Sequence, residues 1–193
     1  MLLAINCIDL TTLSGDDTAS NISRLCWRAT NPLCGSIVDK LIQLGHSPVT
    51  TGAVCGKPFG YVRSSLSLNL NLYTCTFTVY PLRVKDCKYY LNVFKSPVPI
   101  ASVVANFPAG QGIGSNILAE IKYATECGAN EIDIVINRTL VLTGQWLELY
   151  EEIRQVALLC NQLNVHLKVI LSYGELASLD NVYKVTVIWI VEL

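Results

Sequence analysis

Short apolar runs of strand length alternate with amphipathic segments along most of this chain. The pattern predicts strands over residues 4–10, 49–55, 99–105, 131–136 and 165–171. Between them, Ile22, Leu25, Cys26 and Ala29 recur at helical spacing, as do Ile117, Leu118, Ile121 and Ala124, and again Leu147, Tyr150, Ile153, Ala157 and Cys160. Ser115 is placed to cap a helix that ends at Gly128, and Thr143 to cap one that begins near Trp146. Strand and helix in regular alternation imply repeated βα units around a parallel sheet, an α/β fold.

Strand parity assigns faces. In residues 165–171, His166, Lys168 and Ile170 share one side and Leu167, Val169 and Leu171 the other. In residues 131–136, Asp133 and Val135 stand opposite Ile132, Ile134 and Ile136. If such strands close into a barrel, the all-apolar faces pack on the helices and Asp133 and Lys168 point inward.

Residues 56–78 break the pattern. They turn to Gly, Pro, Ser and Asn with Leu66, Leu68, Leu70 and Leu72 alternating, which fits neither an ordinary loop nor a helix. The stretch from Leu72 to Thr78 consists largely of residue types with pyrimidine-rich codons, as translation of an unspliced intron before its acceptor site would give. The segment reads either as such an intron or misassembled gene, or as a surface hairpin.

Composition narrows the function. The 193 residues are 51% hydrophobic and carry a formal net charge of -1, enough for one apolar core and without the basic surface that a nucleic-acid partner needs. The apolar run 185–191 is too short to cross a bilayer and the N-terminus lacks a basic signal-peptide start, so a cytoplasmic location without membrane association is expected. The 8 cysteines show no zinc-type spacing and read as buried free thiols. His46 and His166 have no metal-ligand partner at useful spacing and read as structural, and Trp27, Trp146 and Trp189 as packing residues. Gly112-Ile113-Gly114 reads as a helix-entry turn, since it lacks the third glycine of a dinucleotide fingerprint.

Five ordered blocks carry a resemblance. They are Ile8-Asp9-Leu10-Thr11-Thr12-Leu13-Ser14-Gly15-Asp16-Asp17-Thr18; Ala53-Val54-Cys55 resuming at Val79-Tyr80-Pro81; and Asn106-Phe107-Pro108-Ala109-Gly110-Gln111. Then come Glu131-Ile132-Asp133-Ile134-Val135-Ile136-Asn137-Arg138 with Leu142-Thr143-Gly144-Gln145-Trp146, and Leu167-Lys168-Val169-Ile170 with Gly174-Glu175-Leu176. Together they resemble the deoxyribose-phosphate aldolases, class I Schiff-base enzymes. The resemblance implies a partial (β/α)8 TIM barrel of roughly the first five βα units, a single incomplete domain over residues 1–193 with an atypical insert at about 56–78. It implies reversible cleavage of 2-deoxy-D-ribose 5-phosphate into glyceraldehyde 3-phosphate and acetaldehyde, in deoxyribonucleotide catabolism, without metal or organic cofactor. It leaves homo-oligomerisation open.

By resemblance, Asp133 matches the family's acid/base aspartate, and Lys168, Asp9 and Cys55 match residues of the substrate pocket. The family's nucleophilic lysine lies in a Phe-Ile-Lys-Thr-Ser-Thr-Gly-type strand, and no such segment occurs in this sequence. The expectation is therefore an aldolase-family chain that lacks its Schiff-base lysine. The alternative is a non-catalytic fragment that acts as a binding module, or the product of a misassembled gene. Asp133 also admits a bland reading, a strand carboxylate satisfying a nearby loop, and Lys168 another, a lysine snorkelling to the surface. Burying either charge without a partner is costly, which favours a paired site.

Overall fold

A computed structural model describes Ile5, residues 8–46 and residues 77–191. Five parallel strands form one sheet in sequence order: β1 (Leu10–Thr11), β2 (Phe77–Val79), β3 (Ile100–Val104), β4 (Glu131–Val135) and β5 (His166–Ile170). Helices α1 (Ala19–Thr30) and α2 (Gly35–Gln43) follow β1, and a short 3-10 turn running into α3 (Val84–Val93) follows β2. Helix α4 (Gly114–Cys127) follows β3, α5 (Arg138–Leu142) and α6 (Trp146–Leu163) follow β4, and α7 (Leu179–Val191) comes after β5.

The helices form where the apolar spacing placed them. In α1, Ile22, Cys26 and Ala29 are buried one turn apart, and Thr18 caps its start by accepting from the Asn21 amide at 3.3 Å. Helix α6 buries Leu149, Ile153, Val156, Ala157 and Cys160 along one stripe. These stripes meet one face of the sheet, where Val79, Ile100, Val104, Ile132, Ile134 and Leu167 join the helical side chains in one apolar cluster. A second cluster around Ile136, Leu149, Ile153, Leu176 and Val185 seals the end near α6 and α7.

The sheet is strongly curved. Strands in a sheet stand about 4.8 Å apart, so a flat five-stranded sheet would hold β1 and β5 roughly 19 Å from each other. Yet Asp9, just before β1, meets Lys168 of β5 at 3.2 Å. Only a sheet rolled about its strand axis brings its two edge strands that close. The face opposite the helices is therefore concave.

Several expectations need correction. Of the strand expected at residues 4–10, residues 4, 6 and 7 lie outside the described residues; Ile8 and Asp9 precede the strand, which spans Leu10–Thr11 and so overlaps the expectation only at Leu10. The span 49–55, Cys55 included, lies outside the described residues, as does most of the segment 56–78. Its last two residues, Phe77 and Thr78, form β2 with Val79 and pair with β3. Ser115 lies inside α4, whose N-cap is Ile113, and Thr143 closes α5 by donating to the Thr139 carbonyl at 2.7 Å. Trp27 is more than half exposed, and Cys34 is exposed while Cys26, Cys87, Cys127 and Cys160 are buried.

The turn after β3 is held by backbone rather than by side-chain bulk. Gly110 has φ +69°, and a Cβ there would run into the carbonyl oxygen of Ile136 and lie 2.8 Å from that of Val135. Only a residue without a side chain lets this turn rest on the end of β4. Gly110→Ala is expected to lower the unfolding free energy by roughly 1–3 kcal/mol in urea denaturation. Gly174→Ala, with open space around the added carbon, should stay within about 0.5 kcal/mol of the parent.

Candidate active site

The β4–β5 register sets Glu131 beside His166 and Asp133 beside Lys168. Neighbouring residues of a parallel pair project to the same side, so all four side chains enter the concave face. Lys168 Nζ lies 2.8 Å from Asp133 Oδ2, 2.9 Å from Glu131 Oε1 and 3.2 Å from Asp9 Oδ2. One ammonium thus serves three carboxyl groups. Glu131 Oε2 takes a further contact from His166 Nδ1 at 2.8 Å. Glu131 is 1% exposed and Asp133 2%.

Charge is unevenly shared in this cluster. For Glu131, burial pushes the pKa up, but the His166 hydrogen bond and the Lys168 charge outweigh it and the net shift is downward. An ionised carboxylate only accepts, so His166 Nδ1 carries the hydrogen of that bond. For Asp133, burial is the largest influence and raises the pKa to about 7, with the Lys168 charge opposing the rise and the Glu131 charge adding to it. For Lys168, burial alone would lower the pKa, but the charges of Asp133 and Glu131 hold it above the ordinary lysine value. The result is a permanent ammonium beside a carboxyl group that titrates near neutrality. Asp133 is therefore able to give and accept protons at physiological pH, while Lys168 is a cation and a poor nucleophile.

Asp133 Oδ1 is buried with no hydrogen-bond partner among the described residues. A buried oxygen left in this way is costly in a finished core and ordinary in a site that receives a polar ligand. Of the residues singled out by sequence, Asp9, Asp133 and Lys168 come together, and Cys55 lies outside the described residues. Two contributors went unassigned. Glu131 stands two residues before Asp133 on the same strand face, so the parity rule that marked Asp133 marks it equally. His166 shares the Lys168 face, and instead of serving only packing it touches the most buried carboxylate of the cluster.

A third missed residue, Arg138, ties together the loops at the C-terminal ends of three strands. Its guanidinium donates to the Ala109 carbonyl after β3 at 3.1 Å and pairs with Glu175 after β5 at 2.9 Å, while its own backbone opens α5 after β4. These are the ends where the chain adopts left-handed backbone at Ala105, Asn106, Ser172 and Ala177. Among the described residues, no group of three His, Cys, Asp or Glu side chains is placed to hold a metal ion. No described helix is long and apolar enough to cross a membrane.

A curved parallel sheet wrapped by helices, with a lysine and paired carboxylates on its concave face, defines an α/β protein built like part of a (β/α) barrel. Two solved structures share this fold: a Coccidioides immitis protein assigned as a deoxyribose-phosphate aldolase (TM-score 0.70, 22% identity, 99% of this chain and 57% of that one), and the tetrameric deoxyribose phosphate aldolase of Aeropyrum pernix (TM-score 0.65, 18% identity, 95% and 58%). No family model matches the chain. It is, however, 47% identical over 188 residues to the deoxyribose-phosphate aldolase of Bos taurus and 46% identical over 188 residues to that of Homo sapiens, 97% of this chain in both cases. The chain belongs to the deoxyribose-phosphate aldolase family. It spans about half the length of these curated relatives, 51% in each.

The raised Asp133 pKa fixes a pH dependence. Its folded value, about 7, lies above the ordinary 3.8, so the contribution of this group to stability is complete below the ordinary value and is lost as pH rises through 7. The melting temperature should therefore fall between pH 5.5 and pH 8. In Asp133→Asn, which cannot ionise, calorimetric melting should show that fall reduced by on the order of 5 °C.

Proposed function

We propose that this chain carries the acid/base half of deoxyribose-phosphate aldolase chemistry and does not carry the amine that forms the Schiff base. The observation that supports this reading is the pairing of Asp133, titrating near neutrality, with an ammonium held permanently charged 2.8 Å away. In the reaction of the family, an iminium between a lysine and the sugar draws electrons from the breaking carbon-carbon bond, and a proton leaves the adjacent sugar hydroxyl. Asp133 is the group suited to take that proton, and Lys168 to bind the negative charge of the substrate or of its hydroxyl oxygen. The substrate class is a phosphosugar, 2-deoxy-D-ribose 5-phosphate, handled in the cytoplasm, and the tetrameric Aeropyrum pernix structure makes self-association a natural assembly for the family fold.

Lys168 is the lysine placed in this cluster, and its surroundings work against Schiff-base formation because a protonated amine does not attack a carbonyl. Incubating the 193-residue chain with 2-deoxyribose 5-phosphate and borohydride should leave no reduced adduct by mass spectrometry. A chimera extended with the remaining part of the Bos taurus aldolase should form the adduct and turn over substrate. Asp133→Asn in that chimera should lower kcat about 10²-fold or more. An adduct on Lys168 of the 193-residue chain would refute the assignment.

A further inference from the structure

We propose that Glu131 is a positioning residue that clamps Lys168 against Asp133, and that His166 fixes the clamp by holding the second oxygen of the same carboxylate. The four side chains are consecutive links: His166 Nδ1 to Glu131 Oε2 at 2.8 Å, Glu131 Oε1 to Lys168 Nζ at 2.9 Å, and Lys168 Nζ to Asp133 Oδ2 at 2.8 Å. Each of the two Glu131 oxygens has a different partner, which fixes the rotation of the carboxylate as well as its position. Glu131 sits one layer nearer the N-terminal end of the sheet than Asp133, at the first residue of β4, and is 1% exposed. A ligand that enters over the C-terminal strand ends meets Asp133 and Lys168 before it can meet Glu131. Its place is beneath the reacting groups.

Any buried carboxylate needs partners for both oxygens, so the identity of the partners rather than their number shows the role. This one orders a flexible lysine whose contact beyond Glu131 and Asp133 is Asp9, which lies just before β1 and is exposed. The charge of Glu131 also opposes ionisation of Asp133, so the clamp sets where Asp133 exchanges its proton as well as where Lys168 points. The titratable groups facing Asp133 are Glu131 on its own strand and Lys168 on β5; beyond them stand Asp9 before β1, through Lys168, and His166 at the start of β5, through Glu131.

This inference rests on the reading of Asp133 and Lys168 as the acid/base pair, but its test needs no turnover. The 193-residue chain, labelled with ¹³C aspartate and ¹⁵N lysine, is titrated by NMR from pH 4 to 9, following the Asp133 carboxyl carbon and hydrogen exchange at the Lys168 ammonium. In Glu131→Gln the Asp133 midpoint should fall by about one pH unit or more, and Lys168 exchange should quicken. His166→Leu leaves the buried residue in place and should move both signals in the same directions, whereas His166→Gln, which can still donate to Glu131, should restore them. His166→Leu decides the matter where Glu131→Gln does not fold. If the midpoint and the exchange rate stay at their parental values while only thermal stability drops, Glu131 is structural and the proposal is overturned. Loss of turnover on mutating Asp133 in the extended chimera tests the acid/base reading separately.

Discussion

One ammonium group facing three carboxyl groups is the interaction on which the remainder of the site depends. Lys168 cannot neutralise Asp9, Glu131 and Asp133 together, so the cluster has a surplus of negative charge in a poorly solvated place. The surplus is resolved by position. Glu131, with a hydrogen bond from His166 as well as Lys168, keeps the negative charge, while Asp133 is driven toward holding a proton. A near-neutral carboxyl group next to a fixed cation follows from this imbalance, and it is the combination that proton transfer requires.

The same contact defines the shape of the fold. A bridge between Asp9 and Lys168 joins the two edge strands of a five-stranded sheet and exists only because the sheet is rolled. Rolling is enforced from outside by the apolar stripes of α1, α3, α4 and α6 packed on the convex face. It is completed at the C-terminal strand ends by Gly110 resting on the β4 carbonyls and by Arg138 joining three loops. The helix-facing side chains thus supply the cohesive energy, and the concave side chains, released from that duty, carry the polar groups.

How much of this was legible in the sequence varied with the distance over which each signal acts. The strands 131–136 and 165–171 were marked by strict alternation, and alternation alone put Asp133 and Lys168 on a common side. The helices with a three- and four-residue repeat, α1, α4 and α6, were equally plain. The caps were not, because Ser115 and Thr143 are common cap residues whose actual roles depend on where the preceding turn ends. Helices α2, α3 and α5 were missed: α5 is a single short turn, and α2 buries no side chain completely, which leaves little periodicity to read. Glu131 escaped notice for a different reason. A glutamate at the first position of a strand looks like solvent-exposed punctuation, and its burial depends on His166 and Lys168 arriving from a strand 35 residues later. Pairing across strands is invisible to local pattern.

The account stands on Lys168 neutralising buried carboxylates, and replacing that cation tests it most directly. In Lys168→Met the carboxyl groups of Glu131 and Asp133 lose their shared partner, so the folded-state pKa of Asp133 should rise further and that of Glu131 should rise from its lowered position. Stability then survives at low pH, where both bind protons, and is lost as pH rises. Urea unfolding of the parent and the variant at pH 5 and pH 8 measures this. The account predicts a loss on the order of 3 kcal/mol at pH 8 that shrinks markedly at pH 5. A loss equal at both pH values would mean that Lys168 acts through the packing of its methylenes, and would contradict the electrostatic basis of the site.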